Sequence, residues 1–351
     1  MKGIDLNGIK KCLWKLEYVE KQTYEMCIEA VKRDGLLLKD IRWNELNLTE
    51  ECINNLCLVA VKNNGLAIQF VYSQTEKICM EAVKQDGLAL KFVNKQTPQI
   101  CIEAVKQNGL SLQYVKEQLD EICIEAVKNY GNALKLVKEQ TGEICMNAVK
   151  NDGLVLKYVK WDELKGKFLK EQAEKICLEA VKQNGWALKY VKEQTEEICL
   201  EAVKQDGLAI KFVKEQTKGI CSKAISQDRR SIRYIKDKYL DKLCIVCLRG
   251  QDKIKEVIAT KKYGEWVFSV DYNKDITKEE FIYRIYNSDG GFDLEKGINT
   301  HRQIYLDFLD QFETNYIRRK IFHFFIPFFM PVYIKVMYIH IVIAIWVLTI
   351  I

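Results

Sequence analysis

A cysteine returns every 22 residues along most of this chain, and that interval constrains the fold more than any other feature. Cys57, Cys79, Cys101, Cys123 and Cys145 keep the spacing, as do Cys177, Cys199 and Cys221, and Cys244 follows after 23 residues. Two intervals are longer: 30 residues from Cys27 to Cys57 and 32 from Cys145 to Cys177. A fixed period in this range belongs to architectures that stack one small unit on the next.

The stretch Thr195 to Thr217 shows what one unit contains. Ile198, Cys199, Ala202 and Val203 share one face of a short helix. Thr195 is placed to cap that helix, Glu196 and Glu197 suit its positive end, and Gly207 suits a left-handed exit. Ala209, Ile210, Phe212 and Val213 then form the inward stripe of a second helix. The spacing predicts an all-α solenoid of short helical hairpins, each helix roughly ten residues and about 15 Å long. A single hairpin buries too little apolar surface to stand alone, so stability has to come from stacking.

Composition agrees: 351 residues, only 3 prolines and 48% hydrophobic residues suit a long helical array. Met1 to Trp14 carries lysines and no continuous apolar core, so no secretory signal is read there. Of the 13 cysteines, ten hold the same inward position. Copies of that position in stacked hairpins fall about 8–10 Å apart, beyond the roughly 7 Å reach of a disulfide, and do not converge as zinc ligands must. Buried free thiols are the expectation, with no metal and no cofactor, in a reducing, cytosol-facing compartment.

In chain order, residues 1–23 read as a capping half-unit, in which Leu16, Tyr18 and Val19 match the second helix of later repeats. The array is expected over 24–262, with insertions near 42–51 and 161–172. The first contains Trp43 and Leu46, the second Trp161 and Leu164, and both Trp43 to Trp161 and Cys27 to Cys145 span 118 residues, a duplicated block of five units. An extended loop carrying a tryptophan makes Trp43, Leu46, Trp161 and Leu164 candidate partner contacts. The alternative is that the tryptophans fold back to cover the groove opened by the longer connection.

The run AVKQNG, followed by ALKYVKEQ at Ala187 to Gln194, resembles a family of short helical repeats of unknown function that is abundant in giant viruses of amoebae. The resemblance covers about Lys11 to Lys262. It implies the architecture and an origin, and transfers no catalytic residue. A virus of that kind would find its protein partner in the host cell, in the host cytoplasm.

Two surface columns bear on nucleic acid. Lys84, Lys106, Lys128, Lys150, Lys182 and Lys204 recur at one position, and Lys91, Lys135, Lys157, Lys189 and Lys211 at another, a ladder that suits a phosphate backbone. Against it, Glu81, Glu103, Glu125, Glu179 and Glu201 stand three residues before the first column, the spacing of intrahelical ion pairs, and the net charge of +6 is modest. The units are also too alike to encode a base sequence. Gln74, Gln96, Gln118, Gln140, Gln194 and Gln216 form a third column, read as a hydrogen-bond ladder that joins one hairpin to the next.

Past Ser226 the repeats decay, and the unit around Cys244, completed by Ile254, Val257 and Ile258, is read as the last before Lys262. Residues 263–320 form a small mixed or helical domain. It has a short strand at Trp266–Val270, helix starts at Thr277 with Glu280 and at Thr300 with Gln303, and a turn at Asn287–Gly291 between the helices. The run from Asp271 to Glu280 fails as a calcium loop, because Ile276 stands where glycine is needed and Glu280 comes two residues early. His301, His323 and His340 accompany no nucleophile or phosphate motif, so the chain is read as no enzyme; an unrecognised activity in 263–320 is the weakest alternative. Residues 321–351 form a hydrophobic segment in which Val332 to Ile351 is long enough to span a bilayer, behind Arg318, Arg319 and Lys320. The expected function is a protein-interaction scaffold anchored at its C-terminus, with nucleic-acid binding along the lysines as the alternative.

Overall fold

The computed structural model describes residues 13–164, 170–250, 254–287 and 300–312. The first residues of the capping half-unit, residues 288–291 of the turn expected at Asn287–Gly291, His323, His340 and the hydrophobic segment 321–351 lie outside the described residues. The chain divides into two compact units, residues 1–236 and 237–351.

In the first unit the element Glu196–Gln205 is a ten-residue α-helix whose Ile198, Cys199, Ala202 and Val203 are buried. Thr195 Oγ1 accepts from Ile198 N at 3.3 Å, which satisfies one of the orphan donors of the first turn. Asp206 ends the helix in extended backbone, and its carboxylate accepts from Leu208 N at 2.9 Å. The chain then winds through Gly207–Phe212, burying Ala209 and Ile210. This α-helix and its companion recur nine times among the described residues, preceded by the half-unit Leu13–Tyr18.

The companion is not the second α-helix expected from the apolar spacing. Gly207–Phe212 is a 3₁₀ helix of six residues. Apolar residues at Ala209, Ile210, Phe212 and Val213 fit a period of 3.0 as well as 3.6 over so short a span. At this seam the groups at the end of the 3₁₀ helix are taken up by the preceding repeat: Gln194 Nε2 donates to Phe212 O at 2.9 Å and its Oε1 accepts from Lys214 N at 2.9 Å. Those are the groups that another α-turn would have used.

The glycine also serves a purpose other than the expected one. Asp206, before it, has φ −147°, and among the described residues the only glycine at positive φ is Gly264. Gly207 is required by its neighbour, since a Cβ there would stand 2.6 Å from the backbone oxygen of Ala224 in the next repeat. The last repeat has no successor, and there the position is Arg229, which opens the 3₁₀ helix Arg229–Tyr234.

The described residues of both insertions include helical turns. The first forms the 3₁₀ turn Trp43–Glu45 and lengthens the following helix, Glu50–Asn63, to 14 residues. The second forms the short helix Trp161–Leu164 and is again followed by a 14-residue helix, Lys170–Gln183. The duplication thus reproduces one local design.

The array ends earlier than Lys262. Asp237–Lys242 is a six-residue helix, Cys244 is exposed at φ 55°, and the residues read as a last repeat enter an antiparallel sheet of β1 (Ile245–Leu248), β2 (Val257–Lys262) and β3 (Glu265–Val270), in that order. Val257 and Ile258 satisfy helical spacing only by accident of a short run, and their β-branched side chains suit a strand. The strand expected at Trp266–Val270 is β3. Helices Lys278–Asn287 and Thr300–Asp310 follow, the first capped by Thr277 Oγ1 accepting from Glu280 N at 3.2 Å. Val257, Ala259, Phe268, Phe281, Ile285, Tyr305, Phe308 and Leu309 make the second unit's core. Phe268 and Phe281 stack at 5.2 Å, and Tyr305 Oη accepts from Lys255 N at 2.7 Å. Among the described residues no helix is long and apolar enough to cross a membrane.

If the neighbour sets the glycine, Gly207→Ala has to push two repeats apart. Urea unfolding is expected to show a loss of about 3 kcal/mol, the cost of overpacking against rigid backbone; a loss below about 1 kcal/mol would show that the repeats yield.

Candidate functional site

The sequence columns meet at the seam between repeats. Gln140 illustrates the arrangement: its Nε2 donates to Leu134 O at 3.3 Å in its own repeat and to Tyr158 O at 3.0 Å in the next. Its Oε1 accepts from Lys160 N at 2.9 Å and from the Cys145 thiol at 3.7 Å. One carboxamide therefore ties two 3₁₀ helix ends and a thiol together. Gln22, Gln74, Gln96, Gln118 and Gln194 do the same, so the glutamine column is the inter-repeat ladder read from the sequence. Gln216 closes the series by donating to Tyr234 O at 2.7 Å and accepting from Lys236 N at 3.0 Å.

A second ladder, missed by the sequence reading, runs along the helix ends. Gln107 accepts from Gly87 N at 2.6 Å, Asn129 from Gly109 N at 2.8 Å and Gln183 from Gly153 N at 2.6 Å. Asn129 and Asn151 also donate back to Lys106 O and Lys128 O at 2.8 and 2.9 Å. The signal was present as a column two residues before the glycine that is Asn or Gln in every repeat after the first, where it is Arg33. A third set uses lysines: Nζ of Lys116, Lys138 and Lys160 donate to Asn94 O, Lys116 O and Lys138 O at 2.9, 3.4 and 3.0 Å.

The inward cysteines of the array, Cys27 to Cys221, are free and buried. Burial pushes the thiols of Cys27, Cys57, Cys123, Cys199 and Cys221 up to about 11, and those of Cys145 and Cys177 to about 12. Such thiols are poor nucleophiles, since the thiolate is the reactive form. In the second unit Cys247 is likewise raised to about 12, by burial first and then by the charge of Glu256.

The lysine column Lys84, Lys106, Lys128, Lys150, Lys182 and Lys204 is exposed throughout. Lys128 pairs with Glu125 at 2.9 Å and Lys204 with Glu201 at 3.2 Å, at the expected spacing of three residues. Lys62 reaches across a seam to Glu81 at 3.8 Å. Exposed pairs of this kind add little stability. In the other column, the Lys91 and Lys157 ammoniums lie over the rings of Phe92 and Tyr158 at 5.4 and 4.7 Å.

At the insertions Trp43, Leu46 and Trp161 are half-buried, whereas Leu164 is only 3% exposed and so belongs to the interior rather than to a contact surface. Trp161 borders a cleft of about 450 Å³, with Leu156, Lys157, Val159 and Lys160 from its own repeat, Asp162, and Tyr190 and Lys192 from the next. Among the described residues its lining combines the side chains of Trp161 and Tyr190 with three lysines and Asp162. Among the described residues no group of three His, Cys, Asp or Glu side chains is placed to hold a metal. The run from Asp271 is a tight turn in which Asp271 and Tyr272 take positive φ and Asp275 pairs with Lys262 at 2.6 Å.

Thiol chemistry gives a direct check. At pH 8 iodoacetamide is expected to modify the exposed Cys244 and to leave the inward cysteines of the array untouched until urea is added, as read by mass spectrometry. Raised thiol pKa values favour the folded state fully below about 9, and that contribution is lost as pH climbs towards 11 to 12. Stability should therefore fall over that window.

No curated protein and no solved structure matches the chain. One family model does, that of a domain of unknown function (DUF4116), over residues 54–97, 75–120, 97–141, 120–165, 174–218 and 195–240. Each window spans about two repeats, so neighbouring matches overlap. With the windows merged into 54–165 and 174–240, just over half of the 351 residues are covered, and the chain belongs to this family of tandem helical repeats.

Proposed function

We propose that the chain is a non-catalytic scaffold that presents its repeat array to a protein partner of the host cell. The observation that carries this reading is the recurrence of a half-buried tryptophan at the same place in two copies of a rigid block, Trp43 and Trp161, the second at the rim of a cleft. A rigid aromatic beside a concave surface is the usual anchor of a protein interface. The glutamine and helix-end amide columns are engaged within the array, and the insertions are the places where the repeat pattern opens. The host-cell assignment rests on the likeness of the repeats to those of giant viruses of amoebae.

Affinity capture from amoebal lysate tests the reading. The full chain is expected to retain one protein at a fixed ratio, with nuclease having no effect, and Trp43→Ala with Trp161→Ala to release it while melting stays unchanged. Recovery that nuclease abolishes would move the function to the lysine column Lys84 to Lys204. Lost stability without selective loss of the partner would make the tryptophans structural.

The same proposal includes attachment to a membrane through residues 332–351, on the strength of their apolar run behind Arg318, Arg319 and Lys320. In cells making the full chain, alkaline carbonate should leave it in the membrane pellet. Release into the supernatant would remove the anchor from the proposal and leave the scaffold untouched.

A further inference from the structure

The cleft at the second insertion coincides with a missing rung of the glutamine ladder. Shifting the contacts of Gln140 to the next seam gives their counterparts: Leu156 O, Tyr190 O, Lys192 N and the Cys177 thiol. Three of these four residues, Leu156, Tyr190 and Lys192, line the cleft. Among the described residues no carboxamide reaches them. Gln172 stands five residues before Cys177, as Gln140 stands before Cys145, but the extra turn of helix Lys170–Gln183 has taken it up and left it exposed. Asp162, at the same offset from Val159 as Gln140 from Val137, lies in the short helix Trp161–Leu164. Among the described residues no hydrogen bond is made by Lys192 N, and none by the Cys177 thiol. The first insertion repeats the situation: Cys52 stands at the glutamine position inside the long helix Glu50–Asn63.

A polar slot that holds a primary amide at the other seams, and is left open beside a tryptophan, is specific for the chemistry it already binds. We infer that this cleft receives the side chain of a glutamine on the partner protein, which completes the ladder in trans. The partner's amide NH₂ donates to Tyr190 O and Leu156 O, its oxygen accepts from Lys192 N and the Cys177 thiol, and Trp161 and Tyr190 cover the aliphatic stem. Among the described residues three lysines and one acid line the cleft, and that positive balance, with Lys192 exposed, favours carboxylates on either side of the glutamine. The inference rests on the scaffold reading and names the feature of the partner that the array recognises.

The probe is the chain's own clamp sequence in isolation, a blocked hexapeptide with the sequence of Val191 to Glu196, in which the glutamine lies close to a glutamate on either side. Titrated into the full chain, it is expected to shift the Lys192 amide and a tryptophan indole resonance that Trp161→Phe removes. The same peptide with Gln194→Glu should bind about tenfold more weakly, because a carboxylate facing two carbonyl oxygens cannot donate. In the protein, Lys192→Pro removes an N–H that bonds nothing in the free chain, so melting should hold while peptide affinity drops by a similar factor.

Equal binding of the glutamine and glutamate peptides, or no response of the Lys192 amide at millimolar peptide, would overturn the inference. So would a gain in peptide affinity on Gln172→Ala, which would assign the slot to the chain's own Gln172. A chain that captures its protein partner but ignores the peptide would keep the scaffold and lose the slot.

Discussion

One side chain, the glutamine before the helix cap at every seam but the two at the insertions, organises the array. Its carboxamide offers two donors and one acceptor oxygen, and the seam supplies matching groups from two consecutive 3₁₀ helices and a thiol. Buried backbone groups at a helix end are costly unless paired. Pairing them with an amide from the previous repeat makes helix termination and repeat stacking a single event. A 22-residue unit can therefore be short, because its second element is finished by its neighbour rather than by its own next turn.

The same logic explains which parts of the fold were legible. The period, the threonine cap, the buried face of each α-helix and the glutamine ladder follow from local chemistry that one repeat contains. The 3₁₀ winding and the role of Gly207 do not, since six residues fit either helical period and the glycine is imposed by the backbone oxygen of Ala224, 17 residues away. Arg229 carried the clue: a residue unable to serve as a left-handed exit occupies the glycine position where no next repeat follows. The misread end of the array has a different cause, because Ile254, Val257 and Ile258 match a helical stripe over a run too short to distinguish it from a strand.

Of the candidate site, the sequence revealed the paired tryptophans and their common spacing but not their surroundings. Trp43 and Trp161 were read either as loop-borne contacts or as covers of the groove beside the longer connection; both are half-buried next to a helical turn, and Leu164 turns inward. The cleft beside Trp161 is created by an absence, since Gln172 is present in the sequence at its usual distance from Cys177 and is displaced only by one added helical turn. The helix-end amides Gln107, Asn129 and Gln183 escaped notice because they read as ordinary polar residues at a helix terminus.

Lengthening a helix by one turn at two equivalent places also changes how the array behaves as a mechanical object. In a linear stack, each interface contributes its own share of cohesion. Where the glutamine rung is missing, the interface lacks, among the described residues, the bonds that the amide supplies at its neighbours, which would divide the stack into blocks with a yielding plane after each tryptophan. Cooperativity then extends over a block rather than over the whole array. A force or a competing surface would part the repeats there first, and the block between the planes would separate as one piece.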